Sequence, residues 1–226
     1  MKKRVTIHDI ARKLNTTAST VSRALQNHPR ISEEMCRKVQ QVAREMNYRP
    51  DEMAVNLRKG HRNILGVIVP QVDRYFFARV IRGIEEEAGM QGYHILIGQS
   101  YEKVEREGHL TEKMGKGVVE GLLISVSLQT EACQHIQRLI EQEVPLVFFD
   151  RVLEEINVDS VVIDDFNAAF QITEHLIRSG CHNIAHFAGP SHINIYRERS
   201  EGFLAAMNQY RRKISEEWML TNVLTR

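Results

Sequence analysis

Small hydroxyl side chains and a single arginine stand close together between residues 17 and 25. The spacing of apolar residues there predicts a short helix with Val21, Ala24 and Leu25 on its buried side. The residues left facing outward are Ala18, Ser19, Ser22 and Arg23. Hydroxyl groups and a guanidinium suit hydrogen bonding in the major groove of DNA, where bulky apolar side chains are not left exposed. The chemistry indicated by this surface is recognition of DNA.

Two short helices joined by a tight turn are predicted to position that surface. Thr6 is a suitable N-cap for the first helix, and Asp9 can reach back toward the free backbone N–H groups at its positive end. Asn15 tolerates the left-handed conformation that stops a helix, and Thr17 can cap the second helix. The apolar stripe of the first helix consists of Ile7, Ile10, Ala11 and Leu14. This is the pattern of a helix-turn-helix, and any small helical hairpin is the alternative interpretation.

A third helix and a further short run follow in the N-terminal region. Ser32 is the predicted N-cap of the third helix, and Asn47 is placed to end it. Asp51 can cap a run over residues 52–58 that is too short to be stable alone, so we expect it to fold only against DNA and a dimer partner. The domains predicted here are a helical headpiece at residues 1–50 and a short helix with a linker at residues 51–62.

The basic charge of the chain is confined to this N-terminal quarter. Residues 1–62 contain 14 lysines and arginines against 6 aspartates and glutamates, whereas the rest of the chain contains 16 against 23. A basic module joined to an acidic one indicates polyanion binding by the first and a separate task for the second. The three cysteines show no metal-binding spacing, and no apolar run reaches membrane-spanning length. We therefore expect a cytoplasmic protein with no metal, cofactor or membrane partner.

Apolar runs alternate with amphipathic helices from Ile64 onward. Strands are predicted at residues 64–69, 93–97, 122–126, 146–149, 158–163 and 183–188, and helices at residues 76–91, 102–116, 130–142 and 166–178. This alternation predicts an α/β core with a doubly wound parallel sheet covered on both faces. The predicted lobes are residues 63–180 and an incomplete start of a second lobe at residues 181–226. Ligands of such sheets bind at the carboxyl ends of the strands.

An α/β enzyme that processes a sugar or nucleotide, with an appended helical domain, is the alternative function. The glycines within residues 115–121 lack the dinucleotide-binding spacing and precede a strand, so they indicate a turn. His182 and His186 have helical spacing, but Ile184, Ala185 and Phe187 around them predict a strand, where that spacing does not form a metal pair. Asp164 and Asp165 are interpreted as exposed charge before a helix, which suits its N-terminus. We therefore expect no enzyme; a binding protein without DNA contact leaves the basic headpiece unexplained.

Seven short stretches stand in the same order as in a known family. They are Val5-Thr6-Ile7 with Asp9-Ile10-Ala11, Ser19-Thr20-Val21-Ser22-Arg23-Ala24-Leu25, Tyr48-Arg49-Pro50, Leu57-Arg58, Leu65-Gly66-Val67-Ile68-Val69-Pro70, Phe148-Phe149-Asp150-Arg151 and Glu174-His175-Leu176-Ile177. In these stretches the chain resembles the LacI-type (lactose repressor) transcription regulators. The resemblance implies an all-α headpiece, a hinge helix and a type I periplasmic-binding-protein-like core. It also implies three partners: double-stranded operator DNA, a small sugar or sugar derivative as effector, and a second copy in a homodimer.

The resemblance further implies roles in DNA binding. Ala18 and Ser19 occupy positions that vary with the operator, and Arg23 resembles a reader of guanine. Leu57 resembles a hinge leucine that wedges into the minor groove, although a core leucine of a short helix is its alternative interpretation. The residues expected to contact DNA are Thr6, Thr17, Ala18, Ser19, Thr20, Ser22, Arg23, Asn27, Tyr48, Leu57 and Arg58.

Four positions are implied to contact the effector: Phe76, Phe77, Asp150 and Arg199, the last from the second lobe. Each has an alternative, since the two phenylalanines can simply cover the sheet and Asp150 can simply pair with Arg151. Members of the family usually continue beyond residue 226, so the resemblance implies that the second lobe is incomplete. Together these features predict a repressor that binds a near-palindromic operator as a dimer.

Overall fold

The computed structural model describes residues 5–48, 62–214 and 218–220. By contacts the chain divides into two compact units, residues 1–60 and residues 61–226. The run predicted at residues 52–58, with Leu57 and Arg58, lies outside the described residues. Among the described residues, no helix is both long and apolar enough to cross a membrane.

The described part of the first unit forms three helices: α1 (Ile7–Lys13), α2 (Ala18–Leu25) and α3 (Glu33–Glu45). The Asp9 carboxylate accepts hydrogen bonds from the backbone N–H and the hydroxyl of Thr6 at 2.9 and 2.8 Å. Thr17 Oγ1 accepts from the Thr20 N–H at 3.2 Å, and Ser32 Oγ accepts from the Met35 N–H at 3.3 Å. The predicted start of each helix is confirmed, because these side chains satisfy N–H groups that have no partner inside the helix.

All three helices end on a left-handed asparagine. The φ angles are 48° at Asn15, 50° at Asn27 and 50° at Asn47. The N–H of the residue after each asparagine donates to a carbonyl five residues back: Thr16 to Ala11 at 2.9 Å, His28 to Arg23 at 3.0 Å and Tyr48 to Ala43 at 2.8 Å. These bonds satisfy free carbonyls at each helix end and turn the chain sharply. The stops predicted at Asn15 and Asn47 are confirmed, and Asn27 adds a third.

The short helices are stabilised by one shared hydrophobic core. Ile10, Val21, Ala24 and Val39 have no exposed side-chain surface, although each comes from a helix too short to be stable alone. Half-buried apolar residues that pack around them include Leu14, Leu25, Met35 and Met46. The apolar stripes predicted from helical spacing therefore meet, and they hold the headpiece together.

The second unit contains a five-stranded parallel sheet. Its strands are β1 (Ile64–Val69), β2 (His94–Gln99), β3 (Gly121–Ile124), β4 (Leu146–Phe149) and β5 (Asp159–Val161), in the order β2-β1-β3-β4-β5. Its helices are α4 (Tyr75–Met90), α5 (Val104–Gly115), α6 (Gln134–Glu141), α7 (Asp165–Arg178) and α8 (Asn194–Gln209). Two residues of β6 (His186–Phe187) pair in parallel with β7 (Met219–Leu220). The predicted α/β class with a parallel sheet is confirmed.

Both faces of the sheet are covered by apolar side chains. One face carries Ile68, Leu122, Ile124 and Phe148, which are almost fully buried with residues of α5 and α6. The other face carries Val67, Val69 and Phe149, packed with Phe77 of α4. Neighbouring strand residues point to opposite faces, so the continuous apolar runs of β1 and β4 are those of a doubly covered sheet.

Several predicted elements differ from the structure in length, and the strand predicted at residues 158–163 covers only Asp159–Val161. The helix predicted from Thr130 begins at Gln134, because the Thr130 hydroxyl donates to Glu107 Oε1 at 2.9 Å and holds this stretch as a loop. The strand predicted at residues 183–188 is only two residues long. Strand length depends on a pairing partner, and within the described residues its partner β7 supplies only two residues.

Candidate functional site

The N-terminal turn of α2 carries a cluster of hydroxyl groups. Thr17 Oγ1 lies 2.8 Å from Ser19 Oγ and 2.9 Å from Thr20 Oγ1. Thr17 and Ser19 are exposed, and the cluster sits at the positive end of the helix dipole. Hydroxyls placed at a helix N-terminus are suited to hydrogen bonding with a phosphate oxygen.

Arg23 is exposed one turn further along α2. Within the described part of the chain, its guanidinium has no hydrogen-bond or ion-pair partner. Its donors are therefore available to a ligand, and the planar guanidinium can donate two bonds to the O6 and N7 atoms of guanine.

The other predicted DNA contacts are arranged less uniformly. Ala18 and Ser22 are half-buried, and Ala18 packs against the headpiece core, so its predicted outward orientation is corrected. The reason is its position in the first turn of α2, where a methyl group is small enough to contact that core. Tyr48 also packs against the core, while Asn27 Oδ1 accepts a hydrogen bond from Gln40 Nε2 at 3.0 Å. Thr6 is exposed and already bonded to Asp9.

A second group of polar residues gathers at the carboxyl ends of the parallel strands. Ser100 follows β2, Ser125 follows β3 and Asp150 follows β4, which places all three at one edge of the sheet. The Ser125 hydroxyl lies 3.5 Å from Asp150 Oδ2. Asp150 has a left-handed backbone with φ of 61°. Burial raises the pKa of its carboxyl group, while Arg151 and Arg199 act in the opposite direction.

Arg151 forms its ion pair with Glu102, and not with Asp150 as the alternative interpretation expected. Its Nη1 atom donates to both carboxylate oxygens of Glu102, at 3.1 and 2.8 Å. The buried guanidinium lies about 6 Å from the ring centres of Phe77 and Tyr196. The Asp150 carboxylate is therefore left facing Ser125 in the cleft.

Arg199 is held by a carboxylate that the sequence interpretation placed at the surface. Its Nε donates to Asp165 Oδ1 at 2.6 Å, and Asp165 is only 2% exposed. Asp164 is the residue that caps α7, accepting from the Asn167 N–H at 2.8 Å. The interpretation of Asp165 as exposed charge is wrong, because its ion pair with Arg199 offsets the cost of burying the carboxylate.

The Asp165–Arg199 ion pair borders a cavity of about 290 Å³. His186 and Phe203 also line it, and their rings stack with centres 5.0 Å apart. His186 Nε2 lies 3.0 Å from Ser200 Oγ. Burial, assisted by the nearby Arg199, lowers the pKa of His186. Among the described residues, no three or more histidine, cysteine or acidic side chains are grouped to hold a metal ion.

The two phenylalanines have different surroundings. Phe77 is buried beneath α4, so it covers the sheet as its alternative interpretation predicted, whereas Phe76 is half exposed. Their rings meet edge to face with centres 5.3 Å apart. The charges of Arg199 and Arg151 act on Asp150, while Phe77 lies beside Arg151, so these predicted positions share one region. Sequence reasoning missed the roles of Glu102, Asp165 and Asn194, whose partners are distant in the sequence; the Asn194 amide bonds to the backbone of Val152 and Asp150.

Two family models match the chain. Residues 6–51 match "Bacterial regulatory proteins, lacI family", and residues 62–224 match "Periplasmic binding proteins and sugar binding domain of LacI family". Catabolite control protein A of Priestia megaterium is 31% identical over 206 residues, covering 91% of this chain and 61% of that protein. The transcriptional repressor CytR of Escherichia coli K12 is 31% identical over 205 residues, covering 90% of this chain and 59% of that protein.

The fold is also similar to that of solved regulators. The structure of the Lac repressor dimer bound to operator and the anti-inducer ONPF superposes with a TM-score of 0.78 at 22% identity, covering 93% of this chain and 64% of that one. This chain spans about three-fifths of the length of the curated relatives it matches. The matched regions include most of both units, and the chain belongs to the LacI family of bacterial regulatory proteins.

Proposed function

We propose that the chain acts in a sequence-specific, DNA-binding transcription regulator that represses its targets. It binds a near-palindromic operator in the cytoplasm as a homodimer, and it responds to a small sugar or sugar derivative. The observation that carries this proposal is α2, whose exposed surface combines a hydroxyl cluster at Thr17 with the exposed guanidinium of Arg23. A single headpiece reads one half-site, so a dimer is needed to read an operator with two-fold symmetry.

Each predicted domain has a part in this proposal. Residues 1–50 are the headpiece, residues 51–62 the hinge and linker, residues 63–180 the first lobe and residues 181–226 the start of the second. In the hinge, Leu57 wedges into the minor groove and Arg58 contacts the DNA beside it. The proposed effector contacts are Phe76, Asp150 and Arg199, whereas Phe77 is buried and covers the sheet.

An enzyme on the α/β sheet is the weaker alternative. The relatives at 31% identity are named as regulators, and two acidic side chains of the region, other than Asp150, are held in ion pairs. Asp165 is paired with Arg199, and Glu102 is paired with Arg151. Turnover of a sugar or nucleotide by the purified protein would reverse this ranking.

Binding to selected DNA tests the proposal. Operator candidates are selected from random duplexes, and their affinity is measured by fluorescence anisotropy over a series of salt concentrations. We expect the affinity to fall steeply with salt, and the selected operator to bind at least about 10³-fold more tightly than random DNA. Equal affinity for the two DNAs contradicts sequence-specific recognition.

Substitution of Arg23 tests the base-reading surface directly. Arg23→Ala should weaken binding by about 1–3 kcal/mol and relax the preference at one base pair of each half-site. Arg37→Ala is the matched control, because this exposed arginine on α3 already pairs with Glu33 at 3.1 Å. If both variants keep the wild-type base preference, Arg23 is not the reader.

The hinge is tested by comparing two DNAs. Leu57→Ala should weaken operator bending more than it weakens binding to random DNA, because only a kinked operator uses a minor-groove wedge. Bending is measured by energy transfer between dyes at the two ends of the duplex. Equal losses on both DNAs argue against the wedge.

A further inference from the structure

We propose that Asn194 is a positioning residue, which holds the backbone of Asp150 in place and so ties α8 to the ligand cleft. The inference rests on the proposed role of Asp150 in effector binding. Asn194 is the first residue of α8 and is only 3% exposed. A buried amide of this kind must find hydrogen-bond partners, and those partners lie on the segment that carries the cleft carboxylate.

The Asn194 side chain bridges the two residues that flank Arg151. Its Oδ1 atom accepts from the Val152 N–H at 3.1 Å, and its Nδ2 atom donates to the Asp150 carbonyl at 3.1 Å. One planar amide therefore satisfies a backbone donor and a backbone acceptor at once. Aspartate and leucine have nearly the same size, but neither can make both bonds.

This segment needs such support because of its backbone conformation. Asp150 adopts a φ of 61°, a region that side chains other than glycine and asparagine adopt at a cost. The Asp150 N–H donates to the Val161 carbonyl at 3.0 Å, so β5 holds one side of the turn. Asn194 holds the other side, and together they fix the direction of the carboxylate toward Ser125.

The first turn of α8 is itself anchored to the sheet. Ile193 and Ile195, on either side of Asn194, are 1% and 5% exposed and belong to the same hydrophobic core as Ile68 and Ile124. The ring of His192 adds a hydrogen bond from Nε2 to the Leu128 carbonyl at 2.8 Å. Asn194 is therefore presented by a fixed surface, as a positioning residue must be.

The same helix carries Arg199, five residues further on, whose charge acts on Asp150. A movement of α8 relative to the sheet would therefore change both the backbone support and the electrostatic environment of this carboxylate. Asn194 and Arg199 therefore act on Asp150 from the same helix, the first through the backbone and the second through its charge.

Two variants separate the two hydrogen bonds. Asn194→Leu removes both, while Asn194→Asp keeps an acceptor for the Val152 N–H and loses the donor to the Asp150 carbonyl. Asn208→Leu, at an exposed position near the end of α8, is the matched control. The measurement is amide hydrogen exchange at Val152 in the full chain without DNA or effector.

We expect exchange at Val152 to become at least about tenfold faster in Asn194→Leu and to stay near the wild-type rate in Asn194→Asp and Asn208→Leu. Unchanged exchange in a folded Asn194→Leu protein overturns the proposal. If Asn194→Leu does not fold, Asn194→Ala is used in its place, with the same expected increase and the same contradicting result.

A carboxyl NMR titration of Asp150 separates positioning from simple loss of packing. The groups acting on this carboxyl are Arg151, Arg199, Asp165 and the Ser125 hydroxyl, and none is altered in Asn194→Leu. Release of the turn should admit water and lower the pKa of Asp150, while Asn208→Leu leaves it unchanged. An unaltered titration in Asn194→Leu contradicts the positioning role. Both measurements are independent of DNA binding, so failure of the proposed function leaves their outcome intact.

Discussion

The headpiece and the cleft at the carboxyl ends of the strands are specified by different kinds of contact. In the headpiece, each helix begins at a residue whose side chain forms a hydrogen bond with the residue three positions later, as at Thr17 and Ser32. Each helix ends at an asparagine with a left-handed backbone, such as Asn15. In the cleft, the side chains are held by partners far along the chain. Arg151 is 49 residues from Glu102, and Arg199 is 34 residues from Asp165. Local chemistry thus builds α2, whereas long-range ion pairs build the cleft.

The largest expected effect comes from breaking a long-range pair. Arg199→Met leaves the carboxylate of Asp165 buried without its cation, and we expect a loss of about 3 kcal/mol in the free energy of unfolding of the second unit. Arg82→Met is the control, because Arg82 forms an exposed pair with Glu86 and its loss should produce no measurable change. Urea unfolding of both variants provides the comparison. Equal stabilities would show that the Asp165–Arg199 pair does not hold the cleft.

The same difference explains what could be predicted from the sequence. Neighbouring residues determine the helix caps, as at Thr6 and Thr17, and the alternation of strands and helices from Ile64 onward. Three helix starts and the parallel sheet were therefore predictable. The burial of Asp165 was not, since the acidic pair at residues 164–165 offers no sign that the second carboxylate meets Arg199. Asn194 likewise carries no local pattern, because its partners are backbone atoms 42 and 44 residues away. Sequence spacing indicates which elements form, but it does not pair distant polar groups.

A smaller effect is expected at the turn between α1 and α2. Asn15 has a φ of 48°, so Asn15→Ala should destabilise the headpiece by about 1.5 kcal/mol, because alanine does not favour a left-handed backbone. Asn15→Gly should retain the wild-type stability or increase it, since glycine adopts this conformation freely. Thermal unfolding followed by circular dichroism measures both. If the alanine variant is as stable as the glycine variant, the turn does not depend on the left-handed residue.

The cap of α2 is expected to contribute slightly less. Thr17→Ala removes the acceptor for the Thr20 N–H and should cost about 1 kcal/mol of headpiece stability. Ser19→Ala is the control, because Ser19 belongs to the same hydroxyl cluster without capping the helix. The thermal unfolding of the two variants should therefore differ. Equal losses would mean that the hydroxyl cluster, and not the cap, stabilises α2.

The smallest expected effect concerns pH and returns to the cleft. Burial and the charge of Arg199 lower the pKa of His186 in the folded chain, whereas the unfolded chain has the ordinary value near 6.5. As the pH falls below about 6.5, His186 takes up a proton more readily in the unfolded chain than in the folded chain. The folded state therefore loses stability as the pH falls below this value and keeps its stability above it. His186→Gln should flatten this part of the stability profile, measured by urea unfolding at a series of pH values. Because the His186 ring is only half-buried, solvent screens its charge. The change in the free energy of unfolding should therefore be smaller than the changes expected for the other variants. An unchanged profile in His186→Gln would show that the cavity beside Arg199 is hydrated enough to accept the imidazolium. The contrast between a headpiece built by local contacts and a cleft built by electrostatic contacts would then rest on the carboxylate pairs alone.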